Sequence, residues 1–596
     1  MKNDFPNKGM VVVRDETSIQ QISNGKLETE VNTTCISMDE KQTGGLLFDK
    51  DPSLWKTDPD QIKQISRRLG WLTLPDYFAR TIKDLSEFAL TIKREGYTHA
   101  VLLGMGGSSL CSEVTRKTFS IAEGYLQLFV LDNTDPSAIL ALEKKINIAK
   151  TLFIVASKSG NTEETLSFFR YFYNQLEKRN KDNPGNNFVA ITDDSTPLVK
   201  VAQQYQFRKV FVNPSDLGGR YSVLSNFGLV PMALMGIDIK SFLSSAKQME
   251  SHCHNVPAST NPGIRLGVVL GICQRYDRDK VTFILSSSLS SFGYWLEQLL
   301  AESTGKEGRG LIPINGESIG APDVYGTDRL FIHIYLSSDD NEDNEKKLKA
   351  LEEAGHPIVI IKVRDKIALG GEYYRWEVAV AIAGIIIGIN PFDQPNVEES
   401  KKNTSQLLED WSKEGSFKKS TPLLKFENIS IYSGNGMEKF IATNYRSAGD
   451  LINSFILQAK PNDYISLLPY FLMTDNRTKV LQSWRQQMRD KLKIATTLLN
   501  GPRYLHSTGQ LHKGGPNTGL YILLIGNEEK DLPISGQKFG FSTLHQAQAL
   551  GDFRSLNDKG RRIIRIHLGK DIDDSLDKLY QSIKDASKQN ILKEAI

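Results

Sequence analysis

The chain has 596 residues, 40% hydrophobic and 24% charged. That length exceeds one ordinary core and suggests roughly three or four domains, and the composition excludes a disordered chain, a collagen-like one or a membrane channel. Lys and Arg number 73 against 70 for Asp and Glu, and the net charge of +3 makes no basic field of the kind nucleic-acid binders use.

Met1 to Pro6 lack the apolar stretch of a secretory leader, and the longest apolar run, residues 378–389, is too short to cross a bilayer. Residues 1–45 show no strong periodicity. From Thr91 onward short apolar runs alternate with longer amphipathic stretches, which is a βαβ rhythm. Residues 100–103, 128–131, 152–155 and 188–191 are continuous rather than alternating in polarity and predict buried parallel strands. Residues 166–178 predict a helix.

A second series follows Pro262, with strands over 281–285, 330–334 and 357–361 and a helix over 344–354 ended by Gly355. Each series runs from a strand through a Ser-rich loop into a helix, which two similar α/β domains explain most simply. Residues 378–389 read as a buried helix leading to Asn390-Pro391. Residues 414–422 read as a linker. Beyond it, residues 429–432, 521–524 and 563–566 predict strands, and residues 478–499 a long helix. Cys35, Cys111, Cys253 and Cys273 are too few and scattered for a disulfide framework, so a reducing, cytoplasmic setting is expected.

Two strand-to-helix turns carry chemistry. Gly104-Met105-Gly106-Gly107-Ser108-Ser109 offers backbone N–H groups and hydroxyls to an anion, although a tight turn uses glycine for steric reasons as well. Ser157-Lys158-Ser159-Gly160-Asn161-Thr162 crowds donors at one strand's end. Asn161 and Glu164 have capping-box spacing, but capping leaves Ser157, Lys158, Ser159 and Thr162 without a role. A monophosphate with three acceptor oxygens would use them.

Gly106-Gly107-Ser108, the 157–162 segment and Gly218-Gly219-Arg220-Tyr221-Ser222 together resemble the phosphoglucose isomerase family. Glu302-Ser303-Thr304-Gly305-Lys306 and residues 390–398 extend the resemblance, in the family's order, over most of residues 80–410. Residues 506–516 and 548–552 are similar to the isomerase half of bacterial transaldolase/phosphoglucose isomerase fusion proteins, and an isomerase part standing alone is expected. The resemblance implies an α/β fold of two doubly wound parallel-sheet sugar-isomerase (SIS) domains plus a C-terminal α/β unit. The expected division is 1–85 as an N-terminal segment, 86–245 and 246–415 as the SIS domains, and 416–596 as the last unit.

The implied activity is reversible isomerisation of glucose 6-phosphate to fructose 6-phosphate through an enediol, without cofactor or metal. That chemistry needs a base moving a proton between adjacent carbons, a cation for the enediolate, and a ring-opening acid/base group. Glu302, at the end of an apolar helix, is the candidate base; the alternative is an exposed helix-end carboxylate disfavoured by the helix dipole. Arg220 follows two glycines and suits an oxyanion, against the commoner fate of a surface salt bridge. By resemblance Arg220 stabilises the enediolate, Gln394 lies near the phosphate and Lys401 near the ring oxygen, with Gly107, Ser108, Ser157, Lys158, Ser159 and Thr162 binding substrate. Lys401 could also belong to a solvated helix face.

His506 is the preferred ring-opening group, in a segment that follows the Gln/Lys motif instead of preceding it, and His512 competes with it. His252-Cys253-His254 does not read as a metal site, having no second ligand pair at a suitable spacing. The basic cluster Arg554, Arg561, Arg562 and Arg565 reads as a strand face or interface, not a nucleic-acid patch. A hexose 6-phosphate is thus the expected partner, with no nucleic acid and no membrane; a homo-oligomer is one option the chain leaves open. Alternatives are an isomerase of mannose 6-phosphate and a non-catalytic SIS protein that binds sugar phosphates.

Overall fold

The computed structural model describes residues 11–14, 17–179, 182–254, 256–434, 437, 445–527 and 530–594. Met1 to Pro6, expected to carry no leader, lie outside the described residues. The described part of the stretch without periodicity holds two short strands, β1 (Val11–Arg14) and β2 (Ser18–Ser23), paired antiparallel, and a helix, Glu28–Glu40. The predicted strands follow as β3 (His99–Gly104), β4 (Gln127–Leu131), β5 (Thr151–Ala156) and β6 (Phe188–Asp193), with β7 (Lys209–Asn213) added at one edge. These five make a wholly parallel sheet of order β4-β3-β5-β6-β7. Every residue of β5 and β6 is buried, as continuous apolar runs covered on both faces require.

The second sheet holds β8 (Lys280–Leu285), β9 (Ile312–Ile314), β10 (Arg329–Leu336) and β11 (Ile358–Val363) in parallel, and β2 joins it antiparallel to β11. Its order is β1-β2-β11-β10-β8-β9. The helix Leu369–Ile387 packs behind it, buried along almost its whole length, and a left-handed Gly388 (φ 80°) turns the chain toward Asn390.

The last sheet holds β12 (Leu424–Phe426), β13 (Ile429–Ser433), β14 (Tyr464–Tyr470), β15 (Ala495–Leu498), β16 (Gly519–Ile525) and β17 (Arg562–His567), in the order β12-β13-β17-β16-β14-β15. All three sheets share a four-strand parallel core in which the first and third strands are neighbours, the second lies outside the first and the fourth outside the third. The last two also carry an antiparallel hairpin beside the fourth strand. The C-terminal α/β unit therefore repeats the doubly wound plan of the second sheet. Between the first and third strands of each sheet the connections part to opposite sides, the switch point at which such folds take ligands.

One expectation needs correction. The helix expected over 478–499 spans Asp475–Leu492; Lys493 is left-handed (φ 58°), and β15 takes the β-branched Thr496 and Thr497 into the sheet beside β14. Among the described residues no helix is long and apolar enough to cross a membrane.

Candidate active site

The turn after β3 is where three parts of the chain meet. Gly106 has φ 54°, and a Cβ there would lie 2.7 Å from the His506 carbonyl oxygen; a Cβ on Gly107 would lie 2.2 Å from the Gly219 carbonyl oxygen and 3.0 Å from the Arg220 nitrogen. Only glycine lets the Arg220 and His506 loops close this tightly on the first sheet. Ser108 is half-buried beside them.

After β5, Ser157 Oγ lies 2.9 Å from Thr162 Oγ1 and accepts from the Gly160 N–H at 3.1 Å, while Ser159 Oγ donates to Asn161 Oδ1 at 2.6 Å. Lys158 Nζ is committed to Asp193 at 2.6 Å. The capping-box reading is corrected here: the helix Glu163–Glu177 has Thr162 at its N-cap, with no side-chain cap hydrogen bond. Glu164 turns instead toward the C-terminal unit, where its Oε1 lies 2.9 Å from His506 Nε2 and accepts from Gln548 Nε2 at 2.7 Å. Thr134 Oγ1 donates to Gln548 Oε1 at 2.6 Å and orients that amide. Burial alone would push the Glu164 carboxyl up, but the His506 imidazole beside it holds it below the usual carboxylate value.

The helix Phe292–Thr304 supplies the opposite wall, with Gln298 and Glu302 one turn apart. Gln298 Nε2 donates to Glu302 Oε2 at 3.0 Å and to the His506 carbonyl oxygen at 2.8 Å. Glu302 is 8% exposed, and its Oε1 lies 3.5 Å from Arg220 Nη1. Arg220 is 1% exposed and not a surface residue; it donates to Ser303 Oγ (2.7 Å), Gln394 Oε1 (3.1 Å) and the carbonyl oxygens of Pro391 (2.6 Å) and Asp393 (2.9 Å). Those partners fix the plane of the guanidinium. Lys306, its pKa pushed down to about 8 by burial, pins the same loop through Asp393 at 2.7 Å.

A cleft of about 480 Å³ is lined by Ser159, Thr162, Glu164, Lys401, His506 and Gln548, among others. Lys401 stands on the helix Val397–Glu414 and pairs at 2.9 Å with the well-exposed Glu398, a contact weak enough to yield to a ligand. Glu302, Arg220 and Gln394 thus form one hydrogen-bonded group, Ser159, Thr162, Lys401 and His506 face one cleft, and Gln298 joins the two. Gln394 also borders a neighbouring cleft of about 740 Å³ with Arg67 and Arg68. Among the described residues, no group of three or more His, Cys, Asp and Glu side chains is placed to hold a metal ion.

Chemically, a carboxylate beside a fixed guanidinium can take a carbon-bound proton while the cation steadies the resulting oxyanion. An imidazole backed by a buried carboxylate can exchange a proton with a sugar oxygen. The family model described as phosphoglucose isomerase matches residues 79–315. A glucose-6-phosphate isomerase of Methanocaldococcus jannaschii is 29% identical over 349 residues, covering 52% of this chain and 85% of that protein. One from Leptospira biflexa is 30% identical over 396 residues, covering 57% of this chain and 86% of that protein. The chain belongs to the phosphoglucose isomerase family.

A solved structure of a glucose-6-phosphate isomerase from Chlamydia trachomatis, 18% identical, superposes with a TM-score of 0.57 over 67% of this chain and 90% of that one. A hypothetical protein from Thermus thermophilus, 23% identical, does so at 0.55 over 67% and 99%. Both likenesses speak for the fold, the doubly wound SIS architecture of phosphoglucose isomerases. His506 and Gln548 lie beyond the residues matched by the phosphoglucose isomerase model.

In this member of the phosphoglucose isomerase family, Glu164, Gln298 and Gln548 border the candidate site without being among the residues the sequence singles out for it. In the sequence Glu164 fits a helix cap and Gln548 marks only a family resemblance, while Gln298, four residues before Glu302, has the spacing of a helix neighbour that points to it.

His512 stands elsewhere. It is buried between Tyr504 and Tyr521, with ring centroids 5.6 and 4.9 Å away, and burial holds its pKa well below 6.5, helped by Lys513 and Arg561. With the folded pKa depressed, the unfolded chain binds the proton first, so His512 contributes stability present above about pH 6.5 and lost as the pH falls below it. As the pH falls below 6.5, stability should fall, and His512→Leu should flatten that slope. Denaturant unfolding at several pH values measures both; equal slopes in the two proteins would refute the assignment.

Proposed function

We propose that the chain interconverts glucose 6-phosphate and fructose 6-phosphate by moving one proton between C2 and C1 through an enediol intermediate. The observation that carries this reading is the Glu302–Arg220 contact at 3.5 Å, linked by Gln298 to the His506 loop. A protein that only bound sugar phosphates would need the Ser157–Thr162 turn but not a buried carboxylate beside a fixed guanidinium.

In this reading the phosphate sits on the hydroxyl and N–H donors of Ser108, Ser157, Ser159 and Thr162. Lys158, held by Asp193, adds positive charge behind that turn. His506, backed by Glu164 and assisted by Lys401, protonates the ring oxygen as the anomeric hydroxyl loses its proton, which opens the ring. Glu302 takes the C2 proton of the open-chain aldose and returns it to C1, the O2 hydroxyl proton passes to O1, and Arg220 stabilises the charge on the enediolate oxygen between the two transfers. The reverse reaction uses the same groups. The four cysteines are buried and form no disulfide among the described residues, which supports a reducing, cytoplasmic setting.

The test is a coupled assay of purified protein on fructose 6-phosphate, with and without chelator, and on mannose 6-phosphate in parallel. Chelator-insensitive conversion of fructose 6-phosphate to glucose 6-phosphate is expected; strict dependence on added metal, or preference for mannose 6-phosphate, would refute the reading. Replacing Ser157 and Thr162 together by Ala should weaken phosphorylated hexoses and inorganic phosphate alike, by about tenfold or more in Kd, because these hydroxyls hold the non-reacting end. Calorimetry reads this directly, and an unchanged affinity would reduce the segment to a local turn.

A further inference from the structure

The second sheet has a cleft of its own. A space of about 620 Å³ opens at the carboxyl end of β8, between the loop after β9, the helix Glu342–Glu353 and the helix Asp475–Leu492 of the C-terminal unit. Its volume suits a small molecule, and it lies beside the switch point between β8 and β10. The donor-rich turn of the first sheet has no copy here. After β10 stands Asp339, whose carboxylate accepts from the Ser288 N–H at 3.3 Å and from Ser288 Oγ at 2.9 Å.

The cation comes instead from the C-terminal unit. Arg485 is 1% exposed, and its Nε and Nη2 donate to the Thr496 carbonyl oxygen at 3.0 and 2.6 Å. Neighbouring charges already have direct partners: Arg329 with Glu317 at 3.0 Å, Arg489 with Asp490 at 2.6 Å, and Lys347 with the exposed Asp343 at 2.7 Å. Glu317 also accepts from Thr496 Oγ1 at 3.0 Å. Glu297, its carboxyl pushed up to about 7 by burial, accepts from Asn315 at 2.9 Å.

Among the described residues Arg485 has no carboxylate at ion-pair distance, and its Nη1 makes only a 3.5 Å contact with Gln482 Oε1. Glu317, which also lines the cleft, and Glu297 offset its charge only from beyond ion-pair distance, each engaged with a closer partner, so the outward Nη1 of this buried guanidinium is left without a direct anion. Arg485 Nη1 and Gln482 Nε2 lie 3.7 and 3.8 Å from where a Cβ of Gly316 would stand, so two donors border the space that this glycine leaves open on the cleft wall. Lys347 lines the same cleft from the second unit.

We propose that this cleft binds a small phosphorylated metabolite, its phosphate held by Arg485, Gln482 and Lys347, so that the ligand bridges the second and C-terminal units. The site is separate from the Ser157–Thr162 turn and contains no residue assigned to isomerisation.

The test counts inorganic phosphate bound per chain by calorimetry on the full-length protein. Arg485 is left intact because it also ties Thr496; Gln482→Glu with Lys347→Glu instead places carboxylates where the ligand would sit. Two phosphates per wild-type chain are expected, one in this variant, one in Ser157→Ala/Thr162→Ala, and none in the combination. The Gln482→Glu/Lys347→Glu variant should turn over fructose 6-phosphate like wild type, which shows that it is folded; should it not, Gln482→Glu alone serves. If blocking the cleft leaves the phosphate count unchanged, the proposal fails. If only the Ser157/Thr162 change leaves the count unchanged, the reading of that turn fails and the cleft stands.

Discussion

Replacing Glu302 by Gln should lower turnover by about a thousandfold or more while affinity for hexose phosphates changes little. Gln keeps the size of the side chain and an oxygen able to accept from Gln298, now 3.0 Å away, so the helix Phe292–Thr304 and the His506 loop it ties down should stay in place. What is lost is the proton-accepting carboxylate and the anion 3.5 Å from Arg220. The turn after β5, proposed to hold the phosphate, is untouched, which is why kcat and not Kd should carry the effect. Steady-state kinetics and calorimetry with the same preparation separate the two, and near-normal turnover would show that another residue is the base.

Replacing His506 by Ala should slow turnover of the cyclic substrate by roughly a hundredfold to ten-thousandfold, and affect C2-proton exchange in an open-chain analogue far less. Ring opening alone needs an acid/base group at the ring oxygen, and His506 is the imidazole in the cleft with Lys401, Ser159 and Thr162. Glu164→Gln should reproduce part of the loss and change the pH profile, because it removes the charge 2.9 Å from Nε2 but leaves a side chain able to hydrogen-bond. Rates on the two substrates decide the matter. Full activity of His506→Ala on the cyclic sugar would return ring opening to Lys401 or water and leave the C-terminal unit without a catalytic part.

Strands β3 to β6, β8, β10 and β11 were legible because buried parallel strands are continuous apolar runs, whereas the part-exposed β7 and the three-residue β9 were not. The hairpin β1 and β2 was not, since Ser18–Ser23 alternates only between half-buried and buried positions and its partner β11 lies more than 300 residues away. The helix predicted over 478–499 overshot because Arg489, Lys491 and Lys493 continue a polar helical face, and only the left-handed Lys493 and the pairing of Thr496 with β14 end it. That Arg220 and Glu302 meet in one buried group accords with the motifs around them. Glu164 and Gln548 were hidden because each acts on a partner from another unit, a relation no local spacing encodes; Gln298 had only its i,i+4 spacing to Glu302 to mark it. His506 and His512 have equally suitable neighbours in the sequence; burial between two tyrosines separates them. The repeated doubly wound order of the last sheet emerged only from the strand pairing, its runs being spaced unlike those of the first two.

Glu302 is expected to carry a proton between C1 and C2 of a hexose 6-phosphate. The most direct test follows fructose 6-phosphate by NMR in deuterated water with the full-length protein and chelator present. Wild type is expected to form glucose 6-phosphate with deuterium appearing at C2, and Glu302→Gln to show neither conversion nor deuterium incorporation on the same timescale. Wash-in of deuterium at the wild-type rate in Glu302→Gln, or no conversion by the wild-type chain, would contradict the account.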